Sequence, residues 1–227
     1  MSSMIVPERE HVSEKGRTNV DHAAANGHGV DVLAQRIAMH VESLVPRGRT
    51  RCLDIGYGDD TSLAEAVHEN VSRTDWRCID VNRHPARLRS EARWSKYGSV
   101  DGRTIPYGDG EFDVGLLCDV LHRAPDNAAR LLAEAGRVAR HVIVKDRFED
   151  GACSRTMLRV RKFVGNWSYG VGVPERYLTR AEFVRLAAEQ RLVITALDCG
   201  LDLHRHSSLA RTLFRPDWHF IAVLGRA

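Results

Sequence analysis

Asp54, Asp80, Asp101 and Asp119 recur along this chain beside short apolar runs, and His122 follows the last of them. Carboxylates brought to one place hold a cation or accept hydrogen bonds from hydroxyls, and an imidazole is the side chain best suited to take a proton near neutral pH. The stretch that suggests they come together is 50–60, Thr-Arg-Cys-Leu-Asp-Ile-Gly-Tyr-Gly-Asp-Asp. The apolar run at 51–55 predicts a strand, Gly56 and Gly58 allow a sharp turn and a close approach of backbone to a ligand, and 62–67 takes up helical spacing. A Gly-x-Gly pair alone is equally well an ordinary steric turn.

The charges around the glycines narrow the ligand. Asp54 precedes them, Asp59 and Asp60 follow, and Thr61 stands where a dinucleotide fold wants its third glycine. A pyrophosphate would meet carboxylates there, so NAD and ATP fit poorly. S-adenosylmethionine carries an ammonium and a sulfonium and no phosphate, and suits the loop on charge. Asp80, at the end of the apolar run 76–81, either caps the next turn or holds ribose hydroxyls. In a parallel α/β sheet the ligand lies at the carboxyl ends of the strands, where Asp54, Asp80, Asp101 and Asp119 would all fall.

These residues resemble a known family. Leu53-Asp54-Ile55-Gly56-Tyr57-Gly58-Asp59 is similar to the first motif of class I S-adenosylmethionine-dependent methyltransferases, in the group of the ubiquinone and menaquinone methyltransferases (methyltransferase type 11). Trp76-Arg-Cys-Ile-Asp80-Val81 resembles the second strand and its ribose-binding acid. Asp101-Gly102, running on to Ile105-Pro-Tyr and Phe112-Asp113-Val114, resembles the adenine-side loop and strand four; Asp119-Val-Leu-His122 resembles the segment after it. The resemblance covers roughly 31–146 and the C-terminal strands. It implies a Rossmann-like α/β fold: a seven-stranded sheet in the order 3-2-1-4-5-7-6, strand 7 antiparallel, with helices on both faces. The implied cofactor is S-adenosylmethionine, contacted by Asp54, Gly56, Tyr57, Gly58, Asp80, Val81, Asp101, Gly102 and Asp119. Asp60 departs from the pattern by replacing the usual third glycine with bulk and charge.

The elements that would position these groups are legible in part. The 227 residues suit one domain with a substantial core, and no apolar run is long enough to span a bilayer. Residues 1–29 are polar and without sustained periodicity, a flexible tail or lid, and 30–227 reads as a single domain. No basic start followed by an apolar core appears, and a cytoplasmic setting is the default expectation. Val32, Leu33, Ile37, His40, Val41 and Leu44 predict a helix on the sheet edge, capped by Asp31 and ended by Pro46. Further helices are expected at about 60–71, at 125–138 and at 179–190, where Thr179 and Glu182 form a capping box. Strands are expected at 114–118, 141–146, 192–197 and 218–224.

Two insertions, about 147–178 and 199–216, are expected to wall the acceptor pocket. The first contributes Trp167, Tyr169 and Tyr177, an aromatic lid whose alternative is a satellite core; the second contributes His204, whose alternative is a plain surface histidine.

Cysteines at 52, 78, 118, 153 and 199 lack ligand spacing and read as reduced thiols, and no metal site is expected. The net charge of +3 is carried by Arg, in keeping with a GC-rich bacterial genome. Arg83, Arg87, Arg89 and Arg93, and Arg155, Arg159, Arg161 and Lys162, fall on helical stretches where solvated basic faces are common, which argues against nucleic acid as a partner.

Methyl transfer to a carboxylate needs no base, whereas a hydroxyl or amine must lose a proton; His122 is the candidate base, and Lys145 either orients substrate or joins an internal ion pair with Asp146. The reading is a methyltransferase acting on oxygen or nitrogen of a small molecule, with a homodimer through the C-terminal strands as a further expectation. An RNA methyltransferase and a non-catalytic S-adenosylmethionine-binding protein are the alternatives.

Overall fold

In the computed structural model, residues 15–56, 62–81, 95–100, 103–149, 177–201 and 218–227 are described. The strands are β1 (Thr50–Ile55), β2 (Thr74–Asp80), β3 (Ser95–Ser99), β4 (Phe112–Cys118), β5 (Ala139–Arg147), β6 (Leu192–Cys199) and β7 (His219–Arg226). They form one sheet in the order β3-β2-β1-β4-β5-β7-β6. β7 runs antiparallel to both β5 and β6, and the remaining pairs are parallel. The expected order and the antiparallel seventh strand are both present.

Alternation along the strands loads both faces with apolar side chains, and among the described residues each face takes its own pair of helices. Helices α1 (Lys15–Leu44) and α2 (Ser62–Asn70) share one core, in which Ala34, Ile37 and Val41 meet Val67, Leu116, Ile143 and Ile221. Helices α3 (Ala128–Val138) and α4 (Arg180–Glu189) share the other, where Leu132 and Phe183 meet Leu53, Leu117, Val144 and Phe220. Thr179 caps α4 as expected: Glu182 N–H donates to its hydroxyl at 3.2 Å and Thr179 N–H donates to Glu182 Oε2 at 2.8 Å.

Three expectations are corrected. Helix α1 begins at Lys15, before the periodic stretch, so Asp31 lies inside it and is not its cap. The run Ala23-Ala24-Ala25 favours helix by propensity and needs no apolar stripe to extend it. The helix also lies on a sheet face beside α2 rather than on the edge, since its stripe belongs to the core cluster that takes in residues of β1, β2, β4, β5 and β7. At 125–138 the first turn is a 3-10 turn (Pro125–Asn127), and the α-helix starts only at Ala128.

Cys52 and Cys78 are buried, and burial pushes the Cys78 thiol well up from its ordinary range, as expected of inert thiols. Among the described residues, no helix is long and apolar enough to cross a membrane. The two insertions lie almost wholly outside the described residues.

Candidate functional site

At β1 the chain order reverses: β2 and β3 build outward on one side, and β4 is laid down on the other. Such a switch point leaves a crevice at the carboxyl ends of the strands, and here it is a cleft of about 650 Å³. Ile55 and Gly56 line it from β1, Asp80 and Val81 from β2, and Asp119 and Val120 from the end of β4. The loop before β4 adds Thr104 and Ile105, and α3 adds Leu131 and Glu134.

Gly56 makes the turn that opens this cleft. Its φ is +81°, its N–H donates to Ile79 O at 2.7 Å, and a Cβ placed there would lie 2.8 Å from Val120 Cγ2. Both the left-handed backbone and the close approach of the β4 segment require glycine. Gly56→Ala is expected to destabilise the fold by about 1–3 kcal/mol. Val120→Ala should recover only the steric part of that loss, read as the difference in midpoint of denaturant unfolding between the single and double variants.

Asp80 ends β2 with 6% exposure, its carboxylate on the cleft and its backbone carbonyl taken by Val100 N–H at 2.9 Å. Val81 beside it is 59% exposed and offers an apolar face. Asp54 does not reach the lining. It sits inside β1 between Cys78 and Leu116, 3% exposed, because the chain leaves the strand only after Ile55. Burial, with the charge of Asp80 adding to it, pushes the Asp54 carboxyl up to about 7.

Beyond β4, a short segment is lashed to β5. Asp119 takes φ 55°, and its N–H donates to Lys145 O at 2.8 Å. Lys145 Nζ donates back to Asp119 Oδ2. His122 Nδ1 lies 2.6 Å from Asp146 Oδ1, its backbone N–H is 3.3 Å from Asp146 Oδ2, and its ring packs 4.7 Å from that of Tyr177. Successive side chains leave a strand on opposite faces, so Lys145 and Asp146 do not pair with each other; each takes its own partner from the segment after β4. Lys145 is thus in an internal ion pair, 2% exposed, but with Asp119 and not the neighbour the sequence suggested.

Burial by itself would raise the Asp119 carboxyl, but Lys145 and then Arg147 outweigh it and hold the group well below the usual carboxylate range. Asp119 Oδ1 nevertheless has no hydrogen-bond partner among the described residues, although it is buried. Asp119, His122 and Asp146 bring ligand atoms within 4.8 Å of one another, a convergence their sequence spacing does not show. With Lys145 and Arg147 already neutralising the two carboxylates, a metal cation would face two fixed positive charges, and the cluster reads as a charge network.

Residues 53–141 match a family described as a methyltransferase domain, and the match spans the glycine turn, Asp80, Asp119 and His122. Over these residues the chain carries a methyltransferase domain.

Solved structures place the methyltransferase fold across nearly the whole chain. A S-adenosylmethionine-dependent methyltransferase from Methanosarcina mazei is 16% identical, with 82% of this chain and 96% of that one covered and a TM-score of 0.57. The complex of the Haloferax volcanii Trm112 methyltransferase activator with a methyltransferase matches at 13% identity, 96% and 99% coverage and a TM-score of 0.63. Mitomycin 7-O-methyltransferase MmcR matches at 21% identity, 96% and 59% coverage and a TM-score of 0.60. At these identities the likeness is one of fold. No curated protein matches the sequence.

Of the sequence-predicted methyltransferase residues, the cleft gathers Gly56, Asp80, Val81 and Asp119. His122, Lys145 and Tyr177 form the buried network behind it. Tyr57, Gly58, Asp101, Gly102, Trp167, Tyr169 and His204, and Asp60 with them, lie outside the described residues. Thr104, Leu131 and Glu134 escaped sequence reasoning. Nothing local marks a mid-helix glutamate as a cleft residue, although the neighbouring adenine-side motif would have implicated Thr104.

Proposed function

We propose that this methyltransferase takes S-adenosylmethionine in the cleft at β1, β2 and β4 and serves a small organic acceptor, methylated on oxygen or nitrogen. The observation that carries the reading is Asp119, a residue of the cleft lining whose carboxylate is held strongly ionised and whose buried Oδ1 has no hydrogen-bond partner among the described residues. A buried acceptor left without a donor is costly, and a ligand presenting an ammonium satisfies it. In this reading Asp80 accepts from the ribose hydroxyls, while Val81, Ile105 and Val120 give apolar walls to the base.

When bound, the cofactor supplies an electrophilic methyl group. The chain's contribution is to hold donor and acceptor in line and to exclude water. Where the acceptor must lose a proton, His122 is the base we propose: Asp146 occupies Nδ1 and fixes the ring, leaving Nε2 as the basic nitrogen. Its ring lies against Tyr177 rather than on the cleft lining, so this role has the acceptor entering from the Tyr177 side. The cleft volume is within the range of ligand pockets and suits the cofactor, and a small acceptor is supported by the fold shared with an O-methyltransferase of mitomycin. Trp167, Tyr169 and His204 remain candidate acceptor contacts.

Calorimetric titration tests the cofactor. S-adenosylmethionine is expected to bind with micromolar affinity, NAD and ATP to give no heat, and Asp119→Asn to weaken binding about tenfold. Absence of heat with S-adenosylmethionine would overturn the reading.

A further inference from the structure

One wall of the cleft is a loop with no helix or strand to hold its shape. Arg103, Thr104 and Ile105 line the cleft from it, and it runs on through Tyr107 and Gly110 to β4. Its conformation is held from α3.

Arg137 Nε and Nη2 fork onto Glu134 Oε1 and Oε2, both at 2.8 Å. Nη2 also donates to Ile105 O, and Nη1 donates to Tyr107 O and to Asp109 Oδ1, each at 2.9 Å. A guanidinium has five N–H donors in a rigid plane, and here every one is used. Glu134 Oε2 in turn accepts from Ile105 N–H at 2.9 Å, so the Arg137–Glu134 pair grips both backbone groups of Ile105. Gly110, at φ +62°, donates its N–H to Arg137 O at 2.9 Å and turns the chain back toward β4. Arg226 ties this end of α3 to β7 through Gly136 O at 2.9 Å. None of these bonds involves the side chains of Asp80 or Asp119.

We infer that Arg137, acting through Glu134, is a positioning residue for cofactor binding: it sets the 103–105 wall against Val81 and Val120, and so the affinity of the cleft for the adenosyl end of its ligand. The inference rests on the cofactor reading above. A lysine cannot replace the arginine, because its ammonium has three donors and no fork. A purely structural role would lower stability and the fraction of molecules able to bind, and leave the dissociation constant of the folded fraction unchanged.

The test compares wild type, Arg137→Ala and Arg137→Lys by amide hydrogen exchange and by titration with S-adenosylmethionine and with S-adenosylhomocysteine, which shares the adenosyl end and lacks the sulfonium. Both variants are expected to exchange faster across 104–110 while β1, β4 and β5 keep their protection, and to weaken both ligands by the same factor, about tenfold. Should Arg137→Ala fail to fold, Glu134→Gln, which keeps size and an acceptor for Ile105 N–H but loses the charged fork, carries the same expectation. Unchanged exchange at 104–110 overturns the clamp. Faster exchange with unchanged dissociation constants overturns its role in binding. Failure of the wild type to bind either ligand overturns the cofactor reading itself, and the exchange data then show separately whether the clamp exists.

Discussion

Asp80→Ala is expected to weaken S-adenosylmethionine binding by roughly 100-fold, about 3 kcal/mol, without loss of the fold. The carboxylate stands at the end of β2, 6% exposed and on the cleft, so bonds it accepts from ribose hydroxyls are shielded from competing water. Hydrogen bonds to a charged group are each worth about 1.5–3 kcal/mol, and two hydroxyls make up the loss. β2 pairs with β1 and β3 through its backbone, and Val100 N–H bonds the Asp80 carbonyl. Removing the Asp80 charge also relieves Asp54, on which it acts after burial itself. The thermal midpoint should therefore stay at or above that of the wild type while affinity collapses. Titration calorimetry at about pH 8, with the unfolding midpoint as control, reads both quantities; a dissociation constant within about threefold of wild type would exclude Asp80 as the ribose ligand.

Asp54 makes binding and stability depend on pH in opposite senses. Its carboxyl is raised from 3.8 to about 7 in the folded chain, first by burial and then by Asp80. Between these values the native state holds a proton that the unfolded state has released, so stability falls as pH rises from about 4 to about 7, and the full cost, on the order of a few kcal/mol, is present above that. Asp54→Asn removes the titration. The variant should be more stable than wild type at about pH 8 and lose the advantage toward about pH 4, as followed by urea unfolding.

A cation bound in the neighbouring cleft favours the ionised carboxylate, so binding expels the proton. Affinity for S-adenosylmethionine should therefore rise about tenfold between roughly pH 6 and pH 8. The rise should be smaller for S-adenosylhomocysteine, which has no sulfonium, and absent in Asp54→Asn. A flat profile for the wild type would mean that Asp54 is already ionised without ligand or does not sense it.

What the amino-acid order settled by itself was the sheet and the floor of its crevice. Apolar runs such as 114–118, the glycine turn after Ile55 and the Thr179–Glu182 cap are local signals, because each needs only its own neighbours to form. The order in which they occur was enough to place Gly56, Asp80, Val81 and Asp119 at one end of the sheet. Helix α1 was less legible at its start, where alanine propensity without an apolar stripe leaves no periodic trace.

Tertiary structure alone decided which charges meet. Lys145 and Asp146 are neighbours in sequence, yet the pleat sends them to different partners, Asp119 and His122. Asp54 belongs to the same motif as Gly56, but it sits within β1 and off the cleft lining, and burial with the charge of Asp80 pushes its carboxyl up to about 7. Arg137 and Glu134 look like an ordinary pair on a helix surface, and only the approach of a loop some thirty residues earlier gives the three guanidinium donors that Glu134 leaves over, and the shared carboxylate, something to hold. Side-chain charge is written in the sequence; the partner, the burial and hence the strength of that charge depend on chain segments brought together from a distance.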